Sequence, residues 1–244
     1  LLPGGESGRT ANGLVWSLWE PAVFALFLLA GPLWCTVCPL SSVGRAVQRL
    51  VCLGRPLPSW LKTRGVWLAV VDFALILWLE LAFVMTSRPM AAGLLLAGLL
   101  LASVAFCVVY RREVWCRHVC PLGRLAVAVA PAAPLTVAAD RRVCASACTT
   151  HECYRGTETR PGCTVFHHPQ AASQSHHCKL CLDCVDSCPH GAAALRLRAP
   201  LAGARGLTSA DTYVVPFALA AFVLAPLFLA AQSGGAPAGP APLG

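Results

Sequence analysis

The chain has 244 residues, of which 57% are hydrophobic and 12% charged, with a formal net charge of +8. This balance is too apolar for a soluble domain of that length and places the chain in the membrane class. No base-stacking aromatics interleave with the arginines, so the basic excess speaks for membrane topology and against nucleic-acid binding.

The opening LLPGGESGRTANG has no basic stretch leading into an apolar core and does not read as a signal peptide. The first apolar run, 14–34, is followed by WCTVCPL, with Cys35, Cys38 and Pro39. A basic segment holding Arg45, Arg49, Arg55, Lys62 and Arg64 leads to the second run, 66–85. That run carries two acids, Asp72 and Glu80, two helical turns apart on one face. Intramembrane carboxylates face a bundle interior or a wet cavity and are candidates for quinol proton handling; the alternative is that Glu80 snorkels outward and Asp72 pairs with an arginine.

The third run, 90–110, ends at Arg111 and Arg112 and is followed by WCRHVCPLG, with Cys116, Cys120 and Pro121. The two W-C-x2/3-C-P-L segments form a weak internal repeat, and each proline turns the chain just after its second thiol. A fourth run occupies 213–231, before a Pro/Gly/Ala tail that cannot build a core. Each run is near the roughly 20 residues that a bilayer-crossing helix needs. The third and fourth contain no charged residue, which argues against burial in a soluble bundle. Arginines concentrate on the cysteine-bearing side, whereas the opposite side holds only Arg9 and Arg88. The positive-inside rule then makes the cysteine-bearing side cytoplasmic and both chain termini outward.

Residues 122–206 form the cytoplasmic segment. Its first stretch, LAVAVAPAAPLTVAAD, is broken by prolines and is expected to lie along the membrane or form a short strand. The decisive motif is CKLCLDCVDSCP, in which Cys178, Cys181, Cys184, Cys188 and Pro189 match C-x2-C-x2-C-x3-C-P. Three cysteines at two-residue spacing suit a [4Fe-4S] cube better than a tetrahedral zinc ion. A disulfide framework is disfavoured on a reducing cytoplasmic face.

Cys144, Cys148, Cys153 and Cys163 precede that motif, giving enough thiols for two cubes. In two-cluster ferredoxins each motif sends its fourth cysteine to the other cube. One cluster is thus expected on Cys178, Cys181, Cys184 and Cys163, and the other on Cys144, Cys148, Cys153 and Cys188. The upstream spacing departs from the compact pattern, and the insertion TTHECYRGTETRPG either reshapes that loop or leaves a three-ligand site. Cys35, Cys38, Cys116 and Cys120 are candidate ligands of a third iron-sulfur cluster or another thiophilic metal; a redox dithiol or simple packing is the alternative. Cys52 and Cys107 read as isolated small hydrophobes. No CxxCH occurs, so covalent haem is out. His176 and His177 adjoin the cluster motif and are candidates for tuning it.

Paired Cys-Pro elements after membrane helices, with a cytoplasmic ferredoxin segment, resemble the polyferredoxin-like membrane proteins typified by NapH and the membrane half of NosR. Cys116, Cys120 and Pro121 fit that family's C-x3-C-P element, and Cys35, Cys38 and Pro39 are one residue short of it. The resemblance implies a multi-pass protein of the bacterial inner membrane that relays electrons between the quinone pool and other subunits of a respiratory complex, itself non-catalytic. The fold it implies is mainly α: a membrane domain (14–121) with three transmembrane helices, a dicluster ferredoxin-like domain (122–206) and a fourth transmembrane helix (213–231). Two other functions stay open. CcoG-type relatives are linked to copper handling during oxidase assembly, and labile clusters serve redox sensing; against copper, the chain has only Met85 and Met90.

Overall fold

The computed structural model describes residues 10–201 apart from 12, 84, 86–87 and 171–176, so the expected fourth span at 213–231 lies outside the described residues. What is described is mainly helical, with one two-stranded sheet.

The helical backbone that opens at Gly13 passes through a π turn at Val15–Trp19 into α1 (Glu20–Ala30). It stops there because Gly31 adopts φ 70°, ψ −154°, which L side chains rarely take, and Pro32 follows. The apolar run read as 14–34 is therefore interrupted before its end, and Cys35 sits on a separate single turn, α2 (Trp34–Val37). The helix α3 (Pro39–Leu50) follows directly.

Two helices, α4 (Ser59–Phe83) and α5 (Pro89–Val109), have 25 and 21 residues and are long and apolar enough to cross a membrane. At 1.5 Å per residue they measure about 37 and 31 Å, against a hydrocarbon core of about 30 Å. Their most apolar stretches are only 6% and 11% buried within the protein, unlike the core helices of a soluble bundle. Trp67, Trp78, Leu94 and Leu101 all point outward. The start of α4 lies seven residues ahead of the apolar run at 66–85 because SWLKTRG contains Lys62 and Arg64 yet no proline to end a helix. Such a turn is invisible to hydropathy.

Small residues bring α3 onto α5. A Cβ at Gly44 would meet Cys107 Sγ at 2.8 Å, and Ser103 Oγ donates to the Leu40 carbonyl at 3.1 Å. Cys107 is thus a packing residue. At the C-terminal end of α5, where helical carbonyls lose their partners, Gln48 Nε2 donates to the carbonyls of Cys107, Tyr110 and Arg112 at 2.9, 2.9 and 3.1 Å. Two amide protons are shared among three acceptors. Replacement by an isosteric apolar group, Gln48→Leu, is expected to lower unfolding stability by about 1–3 kcal/mol. Denaturant unfolding of the purified protein in detergent checks this; an unchanged midpoint would show that water caps α5 equally well.

The stretch 125–140 forms the expected short strand in its second half and buried helix in its first. Pro121 starts a helix, α6 (Pro121–Val129), whose residues are buried almost throughout, with Leu125, Ala126 and Val129 packed on Val23 and Phe27 of α1. Pro131 falls in a 3-10 turn, Ala130–Ala132. Beyond it β1 (Leu135–Ala139) pairs antiparallel with β2 (Ala193–Leu197), Val137 opposite Leu195. Between the strands lie α7 (Arg141–Ala147), capped by Asp140 Oδ1, α8 (Glu152–Arg155) and α9 (Asp183–Asp186). Val137 of β1 packs with Cys178, Leu180 and Cys184, joined by Leu135, Cys153 and Val185, so the core of this small layer is built largely of cysteines.

Candidate functional site

The two Cys-Pro segments share one design despite their different spacing. In the first, Trp34–Val37 is a single α turn, closed by the Cys38 N–H donating to the Trp34 carbonyl at 3.0 Å. In the second, Trp115–Val119 is a π turn, closed by the Cys120 N–H donating to the Trp115 carbonyl at 2.9 Å. The wider ring absorbs the extra residue of C-x3-C. In both, the second cysteine turns extended (ψ 130° at Cys38, 122° at Cys120) and proline, whose missing N–H costs nothing at a helix start, begins the next helix. The one-residue shortfall at Cys35 and Cys38 thus leaves the geometry of the element intact.

The ferredoxin-like loop turns by a different device. Leu180 and Leu182, the residues flanking Cys181, have φ of 60° and 62°. Left-handed backbone costs a non-glycine residue about 1–2 kcal/mol, and here it bends the chain twice within five residues. His151 repeats the conformation (φ 53°) just before α8, so Cys153 and Cys184 each stand second in a short helix that follows a left-handed residue. The insertion after Cys153 is closed by Gly156 and Gly162, whose backbones approach too closely for any Cβ.

Electrostatic influence among the thiols runs both within and across the sets named from the sequence. Cys35 feels Cys120 and Cys38, and Cys116 feels Cys120 and Cys35. Cys184 feels Cys178, Cys163 and Cys181 and, across the sets, Cys153. Cys153 feels Cys188, Cys148 and Cys144, and through Cys163 it also adjoins the neighbouring set. Charge interaction reaches farther than ligation. Among the described residues no three His, Cys, Asp or Glu side chains converge on a point where one metal ion would sit. A single tetrahedral zinc draws its sulfurs to about 3.8 Å of one another, given Zn–S bonds of about 2.3 Å; a cube binds one thiolate at each iron corner and needs a wider set.

Burial is the main influence on these thiols. It raises Cys153 and Cys178 to about 11 and Cys120 and Cys181 to about 12, and it raises Cys35, Cys116 and Cys184 as well. Without metal they are protonated at neutral pH, and loading a cationic core must expel those protons. Cys188 is the exception. Although partial burial opposes it, backbone N–H groups of His190 to Ala193 pull its thiol below the ordinary value. Further N–H groups point at sulfur: His167 to Cys163 at 3.1 Å, Leu180 to Cys178 at 3.4 Å and Gly123 to Cys120 at 3.5 Å. Amide donors aimed at sulfur stabilise thiolate and tune a cluster. The indole N–H groups of Trp34 and Trp115, each beside a cysteine pair, are buried with no acceptor. This donor set fits an iron-sulfur group.

Cation-π contacts dock α8 and the loop segment after Cys163 onto the second Cys-Pro element. Arg112 lies 4.3 Å from the Tyr154 ring centre and 4.9 Å from that of Phe166, and Arg117 lies 5.9 Å from Phe166. His118, between Cys116 and Cys120, is buried; burial first, then Arg117, Arg124 and Lys62, lower its pKa to about 4, so its imidazole is neutral. A Cβ at Gly65 of α4 would lie 3.0 Å from His118 Cβ, so this close approach depends on glycine. Asp72 of α4 is near enough to influence Cys120, and its Oδ2 is buried without a hydrogen-bond partner. His168 stacks against His151 and Tyr154, away from the helix ends, and His176 lies outside the described residues.

Two functional candidates escaped the sequence reading. Glu113 is fully buried and Lys179 is 3% exposed, and they form an ion pair between the second Cys-Pro element and the CKLC loop. The available signal was Glu113 itself, the lone acid between Glu80 and Asp140. No family model, curated protein or solved structure matches the chain.

Proposed function

We propose that the chain is a membrane-anchored electron-transfer protein that carries [4Fe-4S] clusters on its cysteine-rich face and connects the quinone pool with a soluble or membrane-bound redox partner. The observation that carries this reading is the CKLCLDCVDSCP loop, wound by left-handed Leu180 and Leu182 and packed against two Cys-Pro turns at the ends of apolar helices. A freely diffusing carrier has no use for such an anchor. In this proposal Cys163, Cys178, Cys181 and Cys184 hold one cube, Cys144, Cys148, Cys153 and Cys188 the other, and Cys35, Cys38, Cys116 and Cys120 a third centre. Bound cubes supply one-electron transfer. The positive-inside rule supports reading this face as cytoplasmic, the family resemblance supports a bacterial inner membrane, and the apolar run at 213–231 is read from its sequence as a further span.

Quinol releases two electrons and two protons on becoming quinone; the electrons leave singly toward the partner, and the protons need acceptors. Asp72 is placed for one of them, as a carboxylate within the apolar helix α4 whose buried Oδ2 lacks a partner beside Cys120. Arg112 and Arg117 hold the segment after Cys163 to the second Cys-Pro element through Phe166.

The test is metal and sulfide analysis of anaerobically purified protein. About eight iron atoms are expected from two ferredoxin-type cubes, and about four more from the helix-end cysteines. A count near four removes the Cys144 cluster. Zinc or copper in place of iron overturns the reading, copper favouring a role in metal handling.

A further inference from the structure

Among the described residues, a buried polar node centred on Glu113 lies between the two groups of cysteines. Glu113 Oε1 receives Lys179 Nζ and Arg45 Nε, the latter at 3.4 Å, while Oε2 accepts from Ser41 Oγ at 2.9 Å. Lys179 Nζ also lies 3.3 Å from Ser41 Oγ. The node is held from outside as well: Thr36 Oγ1 donates to the Lys179 carbonyl, and Arg45 donates to the Thr36 carbonyl at 3.0 Å. Residues from α2, α3, the turn before Cys116 and the CKLC loop therefore meet in one place.

Stability alone is a poor account of it. Taking a carboxylate and an ammonium out of water costs several kcal/mol per ion, and well-packed apolar side chains of similar volume do as well or better. The location is more telling. Lys179 influences Cys178 and Cys181 on one side and Cys35 and Cys116 on the other, and Glu113 influences Cys35 and Cys116. One glutamate against one lysine and one arginine leaves a net positive charge, and in a low-dielectric site such a charge favours the electron-rich state of any neighbouring redox centre.

We propose that Glu113 and Lys179 act as positioning residues that set the reduction potential of the cluster held by Cys163, Cys178, Cys181 and Cys184 and fix that cluster against the helix-end cysteines. The proposal rests on the iron-sulfur reading above. Lys179 supplies the charge that favours reduction, Glu113 moderates it, and the salt bridge holds the loop to the second Cys-Pro element.

The test is a redox titration, followed by electron paramagnetic resonance, of full-length protein in detergent with iron content measured on each sample. Lys179→Met is expected to shift the cluster potential downward and Glu113→Gln to shift it upward. The double variant, whose net node charge equals that of the wild type, is expected to return near the starting value, and Lys179→Arg is expected to keep it. Opposed shifts that cancel are not the signature of a merely structural pair. Should Glu113→Gln or Lys179→Met lose its iron, the double variant against Lys179→Arg carries the comparison, and different potentials in those two charge-matched nodes overturn the proposal. Unshifted potentials in iron-replete single variants also overturn it. Wild-type protein without iron instead overturns the iron-sulfur reading itself, before any variant is compared.

Discussion

On the iron-sulfur reading proposed above, Cys120→Ser is expected to leave clusters that dithionite reduces and quinol does not. Cys120 sits where α6 begins, is half-buried, and accepts the Gly123 N–H at sulfur; it influences Cys35 and is itself influenced by Asp72 of α4. A centre at these helix ends would be the first that electrons meet on leaving the lipid. Removing one thiolate from a four-ligand site normally unseats its metal, and the ferredoxin-like clusters then lose their link to the quinol while keeping their own ligands. Quinol-driven reduction is expected to fall to background, with the dithionite spectrum of the other clusters unchanged. Cys52→Ser is the control, because Cys52 is exposed and makes only a 3.8 Å contact to the Tyr110 carbonyl. Wild-type rates of quinol-driven reduction in folded Cys120→Ser would demote these cysteines to packing.

Gly123→Ala is expected to be nearly as damaging, although it adds one methyl group to a residue that is not itself a candidate ligand. A Cβ at Gly123 would stand 2.2 Å from the Cys116 carbonyl oxygen and 3.3 Å from its carbon. The obstacle is backbone, so the π turn or the start of α6 has to move, at a cost of about 1–3 kcal/mol. The displaced turn carries Cys116. Thermal unfolding and iron content are expected to fall together, the iron by the share of the helix-end centre. Gly98→Ala in α5 is the contrast: nothing lies within 4 Å of its Cβ, and alanine gains up to about 1 kcal/mol of helix propensity. Equal iron content and stability in the two variants would mean that the turn tolerates displacement.

The long apolar helices were legible because hydropathy over about 20 residues needs no tertiary knowledge, and α5 (Pro89–Val109) starts within one residue of the run at 90–110. The α1 break was harder to see, since Gly31 and Pro32 sit inside an apolar run whose composition hides them. The C-x2-C-x2-C-x3-C-P motif was legible from spacing alone, because a motif of short-range separations is a property of sequence. Glu113 and Lys179 were not, because their partnership spans 66 positions and neither residue has a recognisable motif of its own. The stretch 125–140 was legible in part: the expected short strand is present as Leu135–Ala139, whereas the residues before it continue the helix begun at Pro121 and fill the space against Phe27.

The α turn at Trp34 and the π turn at Trp115 bear on how such proteins are sought. A search template with a fixed gap between the two cysteines accepts one of these elements and rejects the other, although both close on the same tryptophan carbonyl. The quantity that persists is a ring from tryptophan oxygen to second-cysteine nitrogen, with proline next. A single-codon insertion or deletion inside that ring changes its size and leaves its ends in place. Patterns written as Trp-Cys, two or three residues, then Cys-Pro would therefore recover both copies, and an indel at this point is a weaker sign of divergence than the same indel inside CKLCLDC, where no turn stands ready to take up the slack.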